Sequence, residues 1–241
     1  MQDSRYTAKF PFRTRGHADL ALRVGGVFTE IDERLERRDV VRVLELGCGF
    51  GTALLELRAR YGHRVALSGL NRRPRDGDAE AMSRNGIERG LIAPDTPPAP
   101  LPNIVFGDVA DGLPFDDASI DLVYSQVAWL YFANKIRVIR EVIRVLRDDG
   151  LAKIDADEVR DDLPPEYAQL VEIWEDGRPN PFGNYLRRFG MDFVPAPDGE
   201  YLRFGKARNF GADLRLAVQI DLSEICERWN GMKCVYVVRR E

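Results

Sequence analysis

The sequence predicts an α/β domain built on an open, doubly wound, mostly parallel sheet. Three observations predict it. An apolar run, Val40 to Leu46, carries Glu45 near its end, passes through three alternating glycines, Gly47, Gly49 and Gly51, and opens a helical pattern at Thr52. Strand-like and helix-like periods alternate from there to about residue 156. The chain has 241 residues, 44% hydrophobic and 31% charged, enough apolar material for one sizeable core.

Taken in order, residues 1–16 carry Tyr6, Phe10 and Phe12 without a period, and Ala18 to Arg37 reads as one amphipathic N-terminal helix through Leu20, Val24, Val27, Ile31 and Leu35. Val40–Leu46 is the first strand and Thr52–Tyr61 the first crossover helix. Arg64–Leu70 is a second strand, followed by a helix over Asp78–Arg89 that Gly90 closes. Five prolines between Ala93 and Pro102 exclude both helix and central strand there. Asn103–Phe106 and Ile120–Tyr124 are the third and fourth strands. Asn134–Leu146 is an amphipathic helix, and Asp148-Asp149-Gly150 turns into a fifth strand, Leu151–Ala156. Prolines and aromatics then break the alternation over 159–200, where a helical piece is expected at Tyr167–Glu175. Two last strands, Leu214–Ile220 and Lys233–Arg239, flank a helix-like Leu222–Trp229. The expected division is an N-terminal arm and helix (1–38), a core (39–158), a cap or insertion (159–205) and closing strands of the core (206–241).

Composition excludes several classes. No apolar run is long enough to span a bilayer, and Met1 to Phe12 has no secretory pattern. Three cysteines, Cys48, Cys226 and Cys234, lack paired spacing, which fits a reducing cytoplasm, and two histidines, His17 and His63, are too few for a metal cluster. A net charge of −4 argues against a general nucleic-acid binder. Arg137, Arg140, Arg144 and Arg147 share one helix face, either as a solvated stripe beside the apolar face or as a phosphate-binding surface.

The glycine spacing narrows the ligand class. A dinucleotide fingerprint needs glycine at position 52, which is Thr52. The pattern that stands, Glu45-x-Gly47-x-Gly49-x-Gly51, resembles motif I of the class I S-adenosylmethionine (SAM) dependent methyltransferases. Phe106-Gly107-Asp108-Val109, the strand Ile120–Ser125, and Ile139–Gly150 are similar to later segments of that family, so the resemblance covers about residues 40–157. It implies a seven-stranded, mostly parallel Rossmann-like sheet with an N-terminal helix and a cap insertion. SAM is the implied cofactor and methyl transfer by SN2 displacement the implied reaction, with no metal.

Carried residue by residue, the resemblance places Gly47, Cys48, Gly49 and Gly51 beneath the methionine part of SAM. Glu45 would orient the loop and the cofactor amino group, or simply cap loop amides as a strand-end carboxylate. Asp108 would accept from the adenine amino group, with Val109 beside it, or serve as a turn residue. Family members usually hold the ribose hydroxyls with a carboxylate at the tip of the second strand. Here that position is Asn71, whose amide can still accept one hydroxyl and donate to another.

Ser125 and Gln126 would lie near the methionine end. Trp129, Tyr131 and Phe132 would wall an acceptor pocket or pack in the core, and Phe182, Asn184 and Tyr185 on the cap are further substrate-side candidates. Methyl transfer from an activated sulfonium needs alignment more than a base. Tyr131, Asp157 and His17 are nonetheless the catalytic candidates, with Asp155 and Glu158 also at the fifth strand's end. The expected acceptor is a small molecule, a specialised metabolite or short peptide. The alternatives are tRNA or protein methylation, or a non-catalytic SAM- or nucleotide-binding module. Oligomeric state is not read from the sequence.

Overall fold

The computed structural model describes residues 14–93, 100–129, 132, 135–155, 171–180, 182–206, 214–221 and 232–238. Its strands are β1 (Val41–Leu46), β2 (Val65–Asn71), β3 (Asn103–Phe106), β4 (Ile120–Ser125), β5 (Leu146–Asp155), β6 (Val171–Glu175), β7 (Arg178–Asn180), β8 (Asp192–Ala196), β9 (Gly199–Phe204), β10 (Leu214–Asp221) and β11 (Met232–Val238). Its helices are α1 (His17–Val24), α2 (Phe28–Leu35), α3 (Thr52–Tyr61), α4 (Ala79–Glu88), α5 (Lys135–Val145) and α6 (Phe182–Arg187).

A seven-stranded sheet runs in the order β3-β2-β1-β4-β5-β9-β8. Its first five strands are parallel, while β9 pairs antiparallel with β5 and β8 antiparallel with β9. From β1 the chain builds outward to β3 and then crosses back to β4 on the other side of β1. The strand order therefore reverses between β1 and β4, and the carboxyl ends of these two strands border the crevice where such sheets bind ligands. Alternation along β1 feeds two cores. Leu44 and Leu46 pack with Ile136, Ile139 and Val142 of α5, whereas Val41 and Val43 pack with Leu20, Ile31, Leu54 and Leu57 of α1 to α3.

Three expectations are corrected. The single N-terminal helix is two, because Gly25 and Gly26 both adopt left-handed φ, 70° and 72°, which ends α1 and turns the chain into α2. The piece expected as helix near Tyr167–Glu175 is strand at 171–175. It forms a hairpin with β7 through Asp176 (φ 49°) and Gly177 (φ 75°), the positive-φ pair that a two-residue turn favours. The strands closing the main sheet are β8 and β9, joined through Pro197-Asp198, and not those near 214–220 and 233–239. The latter, β10 and β11, pair with β6 and β7 in a second, four-stranded sheet, so strand pairing does not follow the expected boundary at 205/206. The arm before residue 14, most of the proline segment and Leu222–Trp229 lie outside the described residues.

One ionic knot fastens the amino end of the sheet. Asp121 on β4 is fully buried. Its carboxylate accepts from the Arg38 guanidinium and from the Arg42 N–H at 2.7 Å, and Arg147 Nε lies 3.5 Å away. Arg144, from the helix-face stripe, is likewise committed: it donates to Glu141, Asp117 and the carbonyls of Leu113 and Phe115. Replacing one member of a buried pair strands the other's charge. Asp121→Ala is expected to lower the unfolding free energy by about 3 kcal/mol, as measured by urea denaturation.

Candidate functional site

The turn after β1 stands on backbone conformations and clearances that only glycine offers. Gly47, Gly49 and Gly51 have φ of 73°, 55° and 66°. A Cβ on Gly47 would collide with Ala128 in the loop after β4, and one on Gly51 with the Met82 side chain of α4. Gly47 and Cys48 donate backbone N–H groups to Leu70 O at 2.7 and 3.2 Å, which ties the turn to the end of β2. Gly51 then caps α3 with no side-chain hydrogen bond.

Asn71 holds this turn shut. The side chain is 2% exposed. Its Oδ1 accepts from Gly49 N at 2.9 Å, and Nδ2 donates to Gly49 O at 2.9 Å and Gly77 O at 2.6 Å. The carboxamide expected at the ribose is thus spent on both polar groups of the middle glycine. Cys48 fills the space against Gly69, and burial pushes its thiol well above the usual range, so it packs as a small protonated residue.

Beneath the turn lies a buried acid. Glu45 is 2% exposed, accepts from Tyr124 Oη and Gln126 Nε2 at 3.1 Å each, and has its carboxyl pushed up to about 8. Desolvation dominates that rise, the two hydrogen bonds oppose it, and nearby Glu56 adds to it. Gln126 Oε1 is buried and has no hydrogen-bond partner among the described residues. Ser125, by contrast, donates its hydroxyl to Leu46 O at 2.9 Å and bridges β4 to β1 inside the sheet.

The end of β3 forms the opposite, open side. Gly107 has no atom near the position of a Cβ, Phe106 before it is 42% exposed, and Val109 is buried. Asp108 lies 3.8 Å from Arg72 Nε. Sequence reasoning passes over Phe106 and Arg72. A large apolar residue left exposed at a strand tip, directly before Gly107-Asp108, was the readable signal for the first.

The remaining candidates scatter. Trp129 and Tyr185 are buried in the core on the α5 face, Trp129 edge-on to Phe132 and Tyr185 tilted against Phe189, and Phe182 packs against the same core. Core packing, and not a pocket wall, is what Trp129 and Tyr185 do. Lys135 Nζ donates to the carbonyls of Trp129 and Phe132 at 2.9 and 3.1 Å, folding this loop over the helix start. Asn184 is exposed and accepts from Arg187. His17 stacks on Phe28 at 3.4 Å and accepts the Val27 N–H on Nε2. Burial, with Arg60 nearby, brings its pKa to about 4, so it belongs to the α1–α2 corner. Tyr131 and Asp157 lie outside the described residues.

These features fit SAM where they can be tested. Gln126 Oε1, unpaired among the described residues, has the chemistry to accept from an α-ammonium, and the adjacent carboxyl of Glu45 suits a cation beside it. Phe106, Gly107 and Asp108 offer an apolar face and an acceptor suited to adenine. Asn71 departs from the expected contact, because its polar groups are already paired.

Comparison with known proteins gives the same direction. The model of a family described as Methyltransferase domain matches residues 44–154. A sarcosine/dimethylglycine N-methyltransferase from Halorhodospira halochloris is 29% identical over 160 residues, covering 65% of this chain and 53% of that protein. A glycine/sarcosine/dimethylglycine N-methyltransferase from Actinopolyspora halophila is 26% identical over 166 residues, covering 67% and 27%. The chain therefore spans about half the length of the first relative and about a quarter of the second. Among solved structures, a SAM-dependent methyltransferase from Aquifex aeolicus superposes with a TM-score of 0.46 at 16% identity, over 72% of this chain and 89% of that one.

Glu45 also makes a pH signature. Its folded pKa, about 8, exceeds the unfolded value, so the stability it contributes is fully present below pH 4.5 and is lost as pH rises through 8. Urea denaturation at pH 5, 7 and 9 should show Glu45→Gln removing a downward slope that approaches about 1.4 kcal/mol per pH unit in the parent. Strand order, the glycine turn and the match over residues 44–154 agree, and that stretch of the chain carries a methyltransferase domain of the class I S-adenosylmethionine-dependent type.

Proposed function

We propose that the protein transfers a methyl group from SAM to a small-molecule acceptor, a specialised metabolite or short peptide, in a reducing cytoplasmic setting. The observation that carries this reading is the unit at the switch point: a glycine turn too tight for any side chain, lying over a buried Glu45–Gln126 pair with one unsatisfied acceptor. When bound, SAM supplies a methyl group on a sulfonium whose departure needs no acid. The chain's own residues then have to bind, orient and exclude water. Gln126 Oε1 accepts the α-ammonium, Glu45 supplies compensating charge, Asp108 accepts from the adenine amino group, and the Asn71 buckle keeps the turn at the shape the methionine moiety requires.

Relatives support the acceptor class. The two bacterial proteins above are named for small amino-acid acceptors, and an O-methyltransferase, cnsE, of Penicillium expansum is 26% identical over 174 residues, 70% of this chain and 58% of that protein. The reading as a tRNA or protein methyltransferase leaned on the helix-face arginines, and Arg144 and Arg147 are engaged with loops and with Asp121.

Calorimetry with S-adenosylhomocysteine, followed by labelled SAM with panels of small amines and hydroxyl compounds, tests this reading. Binding should be abolished by Gly49→Arg, and a labelled small acceptor should form only with the parent chain. Bringing an ammonium beside Glu45 favours its carboxylate, so binding releases a proton and affinity should rise about tenfold from pH 6 to 8, a rise that Glu45→Gln flattens. Absence of binding to the parent chain at any pH would contradict the proposal.

A further inference from the structure

The loop after β4 holds a conformation its sequence disfavours. Val127 has φ 57°, a left-handed value that crowds a β-branched side chain, and it is only 8% exposed. On one side of it stands Gln126, which bonds Glu45, and on the other Ala128, which packs against Gly47. Relaxation of Val127 would therefore move both contacts at once.

A single carboxylate opposes that relaxation. Val127 N donates to Asp155 Oδ2 at 3.1 Å, and the same oxygen lies 3.0 Å from Arg23 Nη1 in the last turn of α1. Asp155 ends β5 and is 4% exposed, so neither bond competes freely with water. Arg23 reaches on through Nη2 to Asp198 at 3.1 Å, in the β8–β9 turn, whose own N–H donates to Leu22 O at 2.9 Å. Helix α1, the end of β5 and the β8–β9 turn thus converge on one residue of the cofactor-facing loop.

We propose that Asp155 is a positioning residue: with Arg23 behind it, it holds Val127 in its left-handed conformation so that Gln126 and Ala128 meet Glu45 and the glycine turn. This rests on the reading of that turn as the SAM site. Asp155 acts through the loop and touches no reacting atom, which also removes it from the list of candidate bases. Docking of α1 thereby becomes a requirement for cofactor affinity.

The test measures S-adenosylhomocysteine affinity by calorimetry, with urea midpoints as the check on folding. Asp155→Ala should weaken binding about tenfold. Asp155→Asn, whose carboxamide oxygen still accepts the Val127 N–H, should weaken it by no more than about threefold. The discriminating variant is Asp155→Ala with Val127→Gly, since glycine adopts φ 57° without strain. Removing a buried valine lowers stability further, so a merely structural role for Asp155 predicts no recovery, whereas this proposal predicts return to within about threefold of the parent. Unchanged affinity in folded Asp155→Ala, or no recovery with glycine, overturns it. Should Asp155→Ala fail to fold, Arg23→Ala carries the test, and unchanged affinity there is equally fatal. A parent chain that binds no S-adenosylhomocysteine overturns the cofactor reading itself and this proposal with it, an outcome distinct from parent binding that the variants leave untouched.

Discussion

The three hydrogen bonds of the Asn71 side chain are the constraint on which the ligand crevice depends. A chain leaving the end of β1 and entering α3 must reverse within a few residues, and glycine makes that reversal possible without making it rigid. Asn71 supplies the rigidity: it satisfies both the N–H and the carbonyl of Gly49 and clamps Gly77 over them. A carboxylate at this position would accept from Gly49 N but could not donate to the two carbonyls. The amide is therefore a different solution from the acid, one that gives up the charge of a carboxylate and gains an internal brace.

Around that brace, polar groups are buried in pairs that each solve a local problem. Asp121 is tied to Arg38 and Arg42, Lys153 to Glu30 and Gly26 O, and Asp155 to Arg23 and Val127. Glu45 differs from these three: its partners among the described residues are neutral donors, and its neighbour Gln126 keeps an oxygen unmatched among them. A buried acid without a cation is expensive in an empty site and useful in one that receives a cation. The cost therefore falls where the sheet topology puts the ligand.

Legibility in the sequence followed the range of the interactions. The strand, glycine turn and helix from Val41 to Tyr61 are local, and their periods and glycine positions were sufficient. Asn71 stands out in the sequence as a departure from the usual carboxylate, yet its partners come from Gly49 and Gly77, which no spacing rule brings together. The aromatic residues Trp129 and Tyr185 read equally as pocket or core, and only the packing of α5 and α6 puts them inside. Two signals were present and outweighed by prolines: Asp176-Gly177, which makes a hairpin, and Pro197-Asp198-Gly199, which turns β8 into β9 and so supplies the last strands of the main sheet. Buried Asp155 could not be told from a solvated strand end, because Arg23 lies 132 residues away in the chain.

The most direct measurement is a crystal structure with S-adenosylhomocysteine bound. The account predicts the ligand over the glycine turn, its α-ammonium on Gln126 Oε1, and Asn71 still bonded to both polar groups of Gly49. Rotation of Asn71 out of the turn onto the ribose hydroxyls, or a ligand seated away from Gln126, would contradict it.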